Sequence, residues 1–370
     1  MKLIILKNNL KDGLIVAERG INESTNLPIL KNVLLKTFNN KVQISATNLE
    51  LGISKLVSGK IIEEGGLTVP FQTFYSIVNN INSDKINLET KNNNIIFKTD
   101  NYEAKLQGLS EDDYPIIPKI DSGDKLIEFD TEFFKTALGQ VITSAQISEI
   151  RPEISGVLFD YQITTIKLVA TDSFRLAEKT IYNTQYTSNI DKGFKVIIPL
   201  KTAQEILRVF DNNQTLKISR DENQILFKNN EVELISRVID GTYPDYEQII
   251  PKSFESELVV EKDHFVNALR LVSNFSGKVN DIRLKTQDTQ KVLEVYSNNQ
   301  FLGENNYLIP SKLSGNSFND ISFNWRYLLD GLKTVNSNNL IFALNGGNRP
   351  AILKSPEDKS YFYILMPIKF

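Results

Sequence analysis

The segment VPFQTFYSIVNNI at residues 69–81 returns as IPLKTAQEILRVF at 198–210, 129 positions later. Each reads as a strand end, a proline at a helix start and a short amphipathic helix. The match extends on both sides. KINLETKNNNIIFKT (85–99) and TLKISRDENQILFKN (215–229) are each two alternating strands around a polar turn. LSEDDYPIIP (109–118) answers IDGTYPDYEQIIP (239–251), and upstream SATNLELGI (45–53) answers VATDSFRLA (169–177). A third, weaker copy keeps the order. Its helices are KDHFVNALRLVSNF (262–275) and NWRYLLDGLKTV (324–335), followed by the hairpin NNLIFALNGGNRPAILKS (338–355) and the terminal strand YFYILMPIKF (361–370).

The chain is therefore three tandem units of roughly 125 residues, a period that marks an array of similar folds. Natural boundaries are 1–120, 126–251 and 256–370, with linkers at Asp121–Lys125 and Lys252–Glu257. The helices are amphipathic. In TEFFKTALGQVITSA the apolar residues Phe134, Leu138, Val141 and Ala145 recur every three or four positions, widened by Phe133, Ala137 and Ile142. In the second, Ala203, Ile206, Leu207 and Phe210 share a face opposite Lys201, Gln204 and Arg208. In the last, Trp325, Leu328, Leu329 and Leu332 form the stripe and leave Arg326, Asp330 and Lys333 outward. Two such helices against antiparallel strands in each unit give an α+β architecture.

Composition narrows the function. A chain of 370 residues, 41% hydrophobic and 24% charged, is globular and too long for one ordinary domain. No apolar run reaches the roughly 20 residues that span a bilayer. The N-terminal MKLIILKNNLKDG has a short apolar stretch followed by charges, unlike an export signal, so a cytoplasmic location is expected. There is no cysteine and one histidine, His264, which sits at helical spacing from Leu269 and Val272. Thiol nucleophiles and thiolate metal sites are excluded, and no cofactor or metal is expected. The carboxylates Glu63-Glu64 and Glu111-Asp112-Asp113 lie in turn-like segments that suit solvated charge better than catalysis. No phosphate-binding glycine loop is present, and Asn345-Gly346-Gly347-Asn348 reads as a hairpin turn. No catalytic residues are assigned. A net charge of −3 gives no overall nucleic-acid signature, so any such contact must come from local basic faces.

Taken together and in order, LPIL (27–30), ATDSFRLAEK (170–179), GTYPDYEQIIP (241–251) and the terminal MPIKF resemble the bacterial sliding clamps, the beta subunits of DNA polymerase III. The resemblance runs from residue 1 to 370. It implies three domains of the DNA-clamp type forming half of a ring, a head-to-tail homodimer with helices lining the hole and sheets outside. Such a ring encircles duplex DNA without sequence specificity and tethers the polymerase catalytic subunit, the clamp loader and other proteins that carry clamp-binding peptides. The dimer contacts it implies join a strand near Tyr102–Leu109 to one near Lys291–Asn298. A domain of about 125 residues is roughly 35 Å across. Six such domains leave a hole of about 35 Å, enough for a duplex, whereas three leave about 5 Å. One chain cannot encircle DNA and two can.

The resemblance also implies two sets of site residues. Basic side chains on polar helix faces would look into the hole: Lys7, Lys11, Lys135, Lys201, Arg208, Arg270, Arg326 and Lys333. Taken singly, each is equally well an ordinary solvated residue. Clamps often carry a basic residue just before LPIL; here Ser24 and Thr25 stand there. The partner groove maps to Ile154, to Thr171, Ser173, Phe174, Arg175 and Leu176, to Pro244 and Ile249, to Pro350, and to Ile364, Leu365, Met366, Pro367 and Ile368. Phe174 replaces a histidine frequent in relatives, which makes the rim more apolar. A Leu and a Phe buried there would remove about 300 Å² of apolar surface from water, roughly 7 kcal/mol before ordering costs, consistent with micromolar peptide binding. The tail has a second reading as a strand buried on both faces, and the two divide it: strand to Leu365, groove from Ile364 onward. The alternative function is an adaptor that keeps the groove but does not encircle DNA.

Overall fold

The computed structural model describes residues 1–22, 27–120, 125–286 and 291–369. Its element order repeats three times. The first repeat opens with β1 (Lys2–Leu6) and α1 (Lys7–Ala17). Five strands follow: β2 (Asn32–Phe38), β3 (Lys41–Thr47), β4 (Leu51–Val57), β5 (Gly59–Glu63) and β6 (Gly66–Pro70). Then come α2 (Phe71–Asn80), β7 (Lys85–Lys91), β8 (Asn94–Lys98) and β9 (Glu103–Gln107). The second repeat has the same sequence of elements. It begins β10 (Ile127–Asp130) and α3 (Thr131–Ile142), and its five strands are β11 (Gly156–Tyr161), β12 (Thr165–Thr171), β13 (Arg175–Tyr182), β14 (Tyr186–Ser188) and β15 (Phe194–Pro199). It ends with α4 (Leu200–Val209), β16 (Thr215–Arg220), β17 (Gln224–Lys228) and β18 (Val232–Arg237).

The third repeat runs β19 (Ser256–Glu261), α5 (Lys262–Val272), β20 (Asp281–Thr286), β21 (Val292–Asn299), β22 (Gly303–Gly315) and β23 (Ile321–Asn324). It closes with α6 (Trp325–Thr334), β24 (Asn339–Leu344), β25 (Ala351–Lys354) and β26 (Tyr361–Leu365). It has one strand fewer because β22 serves twice: its first part pairs with β21 and its last five residues with β19. Among the described residues, two α-helices per repeat and antiparallel pairing in all three sheets agree with the α+β reading. No described helix is long and apolar enough to cross a membrane.

By compactness the chain forms two units that cut across the repeats. The first holds residues 1–133, 186–190 and 204–238. It contains a five-stranded sheet, β5-β1-β7-β8-β9, and a nine-stranded sheet, β14-β10-β16-β17-β18-β4-β3-β2-β6. The division falls there because β18, the last strand of the second repeat, pairs with β4 of the first, Leu51 opposite Ser236 and Lys55 opposite Val232. The second unit holds residues 134–185, 191–203 and 239–370, built on a twelve-stranded sheet, β15-β11-β12-β13-β26-β25-β24-β19-β22-β21-β20-β23. The same device operates: β26, last strand of the third repeat, pairs with β13 of the second, Arg175 opposite Leu365 and Leu176 opposite Ile364.

Local chemistry explains the elements. Asn92 and Asn93 join β7 to β8 with φ of 48° and 57°, the left-handed pair that a two-residue hairpin requires and asparagine tolerates. Gly13 costs α1 helical stability, yet a Cβ there would come 2.5 Å from Ile44 Cδ1, so its absence lets the helix lie against β3. Gly331 does the same for α6, where a Cβ would meet the Tyr363 ring at 2.5 Å.

Several details differ from the sequence reading. The second linker ends at Glu255, because Ser256 and Glu257 are already paired with β22 and β24. Of the first linker, residues 121–124 lie outside the described residues, as do Ser24 and Thr25. Trp325 and Leu329 are only half-buried, as is Leu207: α6 turns Leu328, Gly331 and Leu332 inward because the glycine is what fits over Tyr363. Residues 291–298 cannot offer a pairing edge either, since β21 is flanked by β20 and β22. The open edge belongs to β22, from Gly303 to Pro310.

Candidate partner-binding surface and basic helix faces

The hairpin between β12 and β13 is fixed by its own side chains. Asp172 Oδ1 accepts hydrogen bonds from the Phe174 and Arg175 amides, both at 3.0 Å, and Thr171 Oγ1 donates to the Arg175 carbonyl at 2.6 Å. Ser173 takes φ of 78° at the apex. The first repeat builds the same turn: Asn48 Oδ1 accepts from Glu50 and Leu51 amides at 3.0 and 2.8 Å, with Leu49 at φ of 75°. The second repeat adds a cation. Arg175 Nε donates to Asp172 Oδ2 at 2.9 Å and Nη1 to Asp330 Oδ2 on α6 at 2.6 Å, while Cζ lies 4.3 Å from the Tyr327 ring centroid. Burial works against this guanidinium, but Tyr363, Asp330 and Asp172 outweigh it and hold its proton more firmly than usual. Arg175 is thus a clasp between the turn and α6, and Asp330, read as outward from the sequence, is its partner.

Beyond Leu365 the chain leaves the strand but stays tethered. The Met366 amide donates to the Phe174 carbonyl at 2.8 Å and the Ile368 amide to the Ser322 carbonyl on β23 at 2.8 Å. The named groove residues then divide by depth. Ile154, Thr171, Leu176, Ile364, Leu365 and Pro367 are buried, with Ile364 only 2% exposed. Arg175, Pro244, Pro350, Met366 and Ile368 are half-buried, Ser173 is exposed, and Phe174 (61%) and Ile249 (48%) present open apolar surface. Ile364 and Leu365 are therefore closing strand residues, and it is Met366 and Ile368 that reach the surface. Arg151 Nη1 donates to Ser173 Oγ at 3.1 Å, which ties the short turn carrying Ile154 to the hairpin apex.

Leu176 and Ile364 belong to one apolar cluster on a face of the twelve-stranded sheet, with Leu158, Val169, Ala343 and Ile352. Tyr243 and Tyr246 cover it, joined by Ile239, Ile250 and Phe254 from the segment leading into the third repeat. The sequence reading missed both tyrosines as site residues, although the Tyr-Pro-Asp-Tyr spacing contained them. Burial pushes both hydroxyls well above the ordinary tyrosine range, reinforced at Tyr246 by the Glu178 carboxylate 2.6 Å away. Pro244 and Ile249 sit on this covering segment, Ile249 in the 3-10 turn Glu247–Ile249. Pro350 precedes Ala351, which pairs with Leu365.

The basic residues also divide. Lys201, Arg208, Arg270, Arg326 and Lys333 are exposed; Lys7, Lys11 and Lys135 are half-buried. Lys7 donates to the Asn79 and Ile81 carbonyls at the end of α2, as its repeat counterpart Lys262 does to Val335 after α6. Its ammonium is a helix-end clamp. Arg208 donates to Glu205 at 2.7 Å, and the Arg326 guanidinium lies 5.3 Å from the Trp325 ring. His264 is exposed, with Nδ1 3.8 Å from Glu261. Among the described residues no cluster of histidine and carboxylate side chains is placed to hold a metal.

Three repeats of one α+β fold, joined through shared sheets, define a three-domain protein of the DNA-clamp type. Models of the DNA polymerase III beta subunit match the N-terminal domain over residues 1–118, the central domain over 128–245 and the C-terminal domain over 247–369. The chain belongs to the DNA polymerase III beta subunit family. The beta sliding clamp of Bacillus subtilis (strain 168) is 26% identical over the full length of both chains, and that of Staphylococcus aureus 29% identical over 95% of this chain and 94% of the relative. The crystal structure of the B. subtilis clamp superposes with a TM-score of 0.94, covering 100% of this chain and 99% of that one. A Pseudomonas aeruginosa clamp bound to griselimycin shares the fold at 22% identity and a TM-score of 0.93, over the whole of both chains. The protein is accordingly a sliding clamp of DNA replication, a non-catalytic accessory subunit of the polymerase.

Proposed function

We propose that two copies close head to tail into a ring that slides on duplex DNA in the cytoplasm. The ring tethers the polymerase catalytic subunit, clamp loader and other partners through the surface around Phe174, Ile249, Met366 and Ile368. Its domains span 1–120, 126–251 and 256–370. The observation that carries the ring is a pairing made twice and left open once. β18 extends β4, and β26 extends β13, each a last strand against the third strand of the five. By the same rule the first part of β22 awaits a last strand, and β9 is a last strand at a sheet edge. Those two edges belong to different ends of the chain, so a second copy satisfies both. Leu271, tenth residue of α5, supports this: it is 47% exposed, whereas its counterparts Val16 and Gln140 are buried.

The basic helix faces line the hole on this reading, and the exposed Lys201, Arg208, Arg270, Arg326 and Lys333 are the ones able to attract phosphates loosely, Arg208 with its charge shared with Glu205. Light scattering of the full chain at micromolar concentration should give twice the chain mass, and Leu271→Lys should shift it to one. Loaded on nicked circular DNA, the protein should be retained, and it should leave once the circle is cut. A monomeric wild type, or equal retention on both forms, would overturn the ring.

A further inference from the structure

The first two repeats share their turn and their covering segment, yet of these two only the second buries charge beneath it. Glu178 lies two residues beyond Leu176 on the same face of β13 and is buried. Tyr246 donates to its Oε2 at 2.6 Å, and Lys167 Nζ stands 3.8 Å from the same oxygen. Lys167 Nζ also donates to Glu247 Oε1 at 2.7 Å. Tyr246 and Glu247 are the residues from which the Glu247–Ile249 turn springs, and the Ile249 amide donates back to the Tyr246 carbonyl at 3.1 Å. The turn that presents Ile249 is therefore pinned to the sheet at two adjacent residues, by one hydroxyl and one ammonium that meet near a single carboxylate.

In the first repeat the four equivalent positions are Gln43, Ser54, Ile117 and Pro118. None is charged. There Ile117 instead lies over Gly52, the counterpart of Leu176, where a Cβ would come within 2.7 Å of its Cγ2. The fold thus closes this face without ions, and burying a carboxylate is costly unless its partners compensate. The charged set is thus an addition that the first repeat does without, made beside the peptide surface.

We propose that Tyr246, Glu178, Lys167 and Glu247 form a strut that positions the Pro244–Ile249 wall of the partner-binding surface, and so sets affinity for peptides that reach Ile249. These are positioning residues, since the strut acts through Ile249 and Pro244. The inference rests on the peptide-groove reading above. Tyr246 acts as donor and Glu178 as acceptor: burial and the neighbouring carboxylate keep the phenol protonated.

The test uses the full chain, a fluorescent Gln-Leu-Ser-Leu-Phe peptide, and the variants Tyr246→Phe, Ile249→Ala and their combination. Tyr246→Phe removes one oxygen and leaves the ring in the cluster, so the fold should persist by circular dichroism. It should weaken the peptide by about tenfold, the scale of one buried charge-assisted hydrogen bond. Adding Ile249→Ala should then cost little more, because the wall is already displaced, and amide exchange should quicken at Ile249 and Ile250 with the rest of the sheet unchanged. Unaltered binding in Tyr246→Phe, or strict additivity with Ile249→Ala, would overturn the strut while leaving the groove intact. Absence of binding to the wild type would overturn the groove itself. Lys167→Gln gives the second arm, expected to weaken the peptide by a few-fold because the Glu247 end is solvated.

Discussion

Replacing Arg175 by alanine isolates the clasp between the β12–β13 turn and α6. The guanidinium is only 11% exposed, and its contacts with Asp172, Asp330 and Tyr327 can be weighed separately. The bond to Asp172 is buried and charge-assisted, about 2 kcal/mol. Asp172 keeps its two amide donors in the variant, so its carboxylate is not stranded and the full penalty for an unpaired buried charge does not apply. The Asp330 carboxyl is 37% exposed and regains water, which limits that pair to about 0.5 kcal/mol. Stacking on Tyr327 adds about 0.5–1 kcal/mol. The expected loss is about 3 kcal/mol.

A chain of two compact units does not unfold in one step, so the probe must report on the right unit. The single tryptophan supplies it: Trp325 begins α6, the helix that carries Tyr327 and Asp330. Denaturant titration followed by its fluorescence should show the second unit destabilised by about 3 kcal/mol in Arg175→Ala and by under about 1 kcal/mol in Asp330→Asn. In the double variant the Asp330 change should cost nothing further, because Arg175 is what makes it matter. A loss below about 0.5 kcal/mol in Arg175→Ala, or full additivity, would refute the clasp.

Gly331→Ala should destabilise the same transition by about 1–2 kcal/mol, although alanine is the better helix former: a Cβ at 2.5 Å from the buried Tyr363 ring forces a shift worth more than the roughly 1 kcal/mol gained in propensity. A stabilised variant would show that α6 can lift without cost. Asp358→Asn probes an ion pair with Lys179 at 3.0 Å, supplemented by the Ser360 amide at 2.8 Å. Burial tends to raise this carboxyl, and the Ser360 and Lys179 contacts outweigh it, so its folded pKa lies below the ordinary value. The wild type's advantage is therefore fully present above the unfolded value near 4 and is lost as pH falls through the folded one. Partial exposure limits it to about 1 kcal/mol. An advantage that grew on acidification would reverse the sign and refute the assignment.

The sequence carried the repeat because local rules carry it. Prolines before helices, asparagines able to take positive φ and apolar residues at three and four are all short-range signals, and Asn92-Asn93 and Gly346 sit where they place turns. The terminal apolar run was legible as both strand and surface, since a stretch apolar on both faces ends in a proline that cannot extend a ladder. What stayed hidden were contacts made at a distance. Nothing near Arg175 points to Asp330, and nothing in β4 names β18 as its neighbour, because one strand edge resembles another until the sheet is assembled. The division of basic residues was hidden for the same reason. Lys7 has the pattern of a solvent-facing helix residue and is drawn inward by carbonyls of a helix that ends at Asn80.

A tandem array offers its own control for which residues serve the fold and which serve the site. The turns at Thr47–Leu51 and Thr171–Arg175 share their Asx hydrogen bonds and their positive-φ apex, so those features belong to the fold. Tyr114 and Tyr243 likewise occupy one position in two repeats, both buried, and burial pushes the Tyr114 hydroxyl up to about 12. Their task is to hold the covering segment down. Tyr246 in place of Ile117 and Glu178 in place of Ser54 are not required to close that face, since the first repeat closes it without them. Buried polar groups that the fold can dispense with cost desolvation and return little net stability. Their concentration beside Phe174, Ile249 and Met366 is best explained by what that surface must present, and an apolar swap there should spare folding more readily than binding.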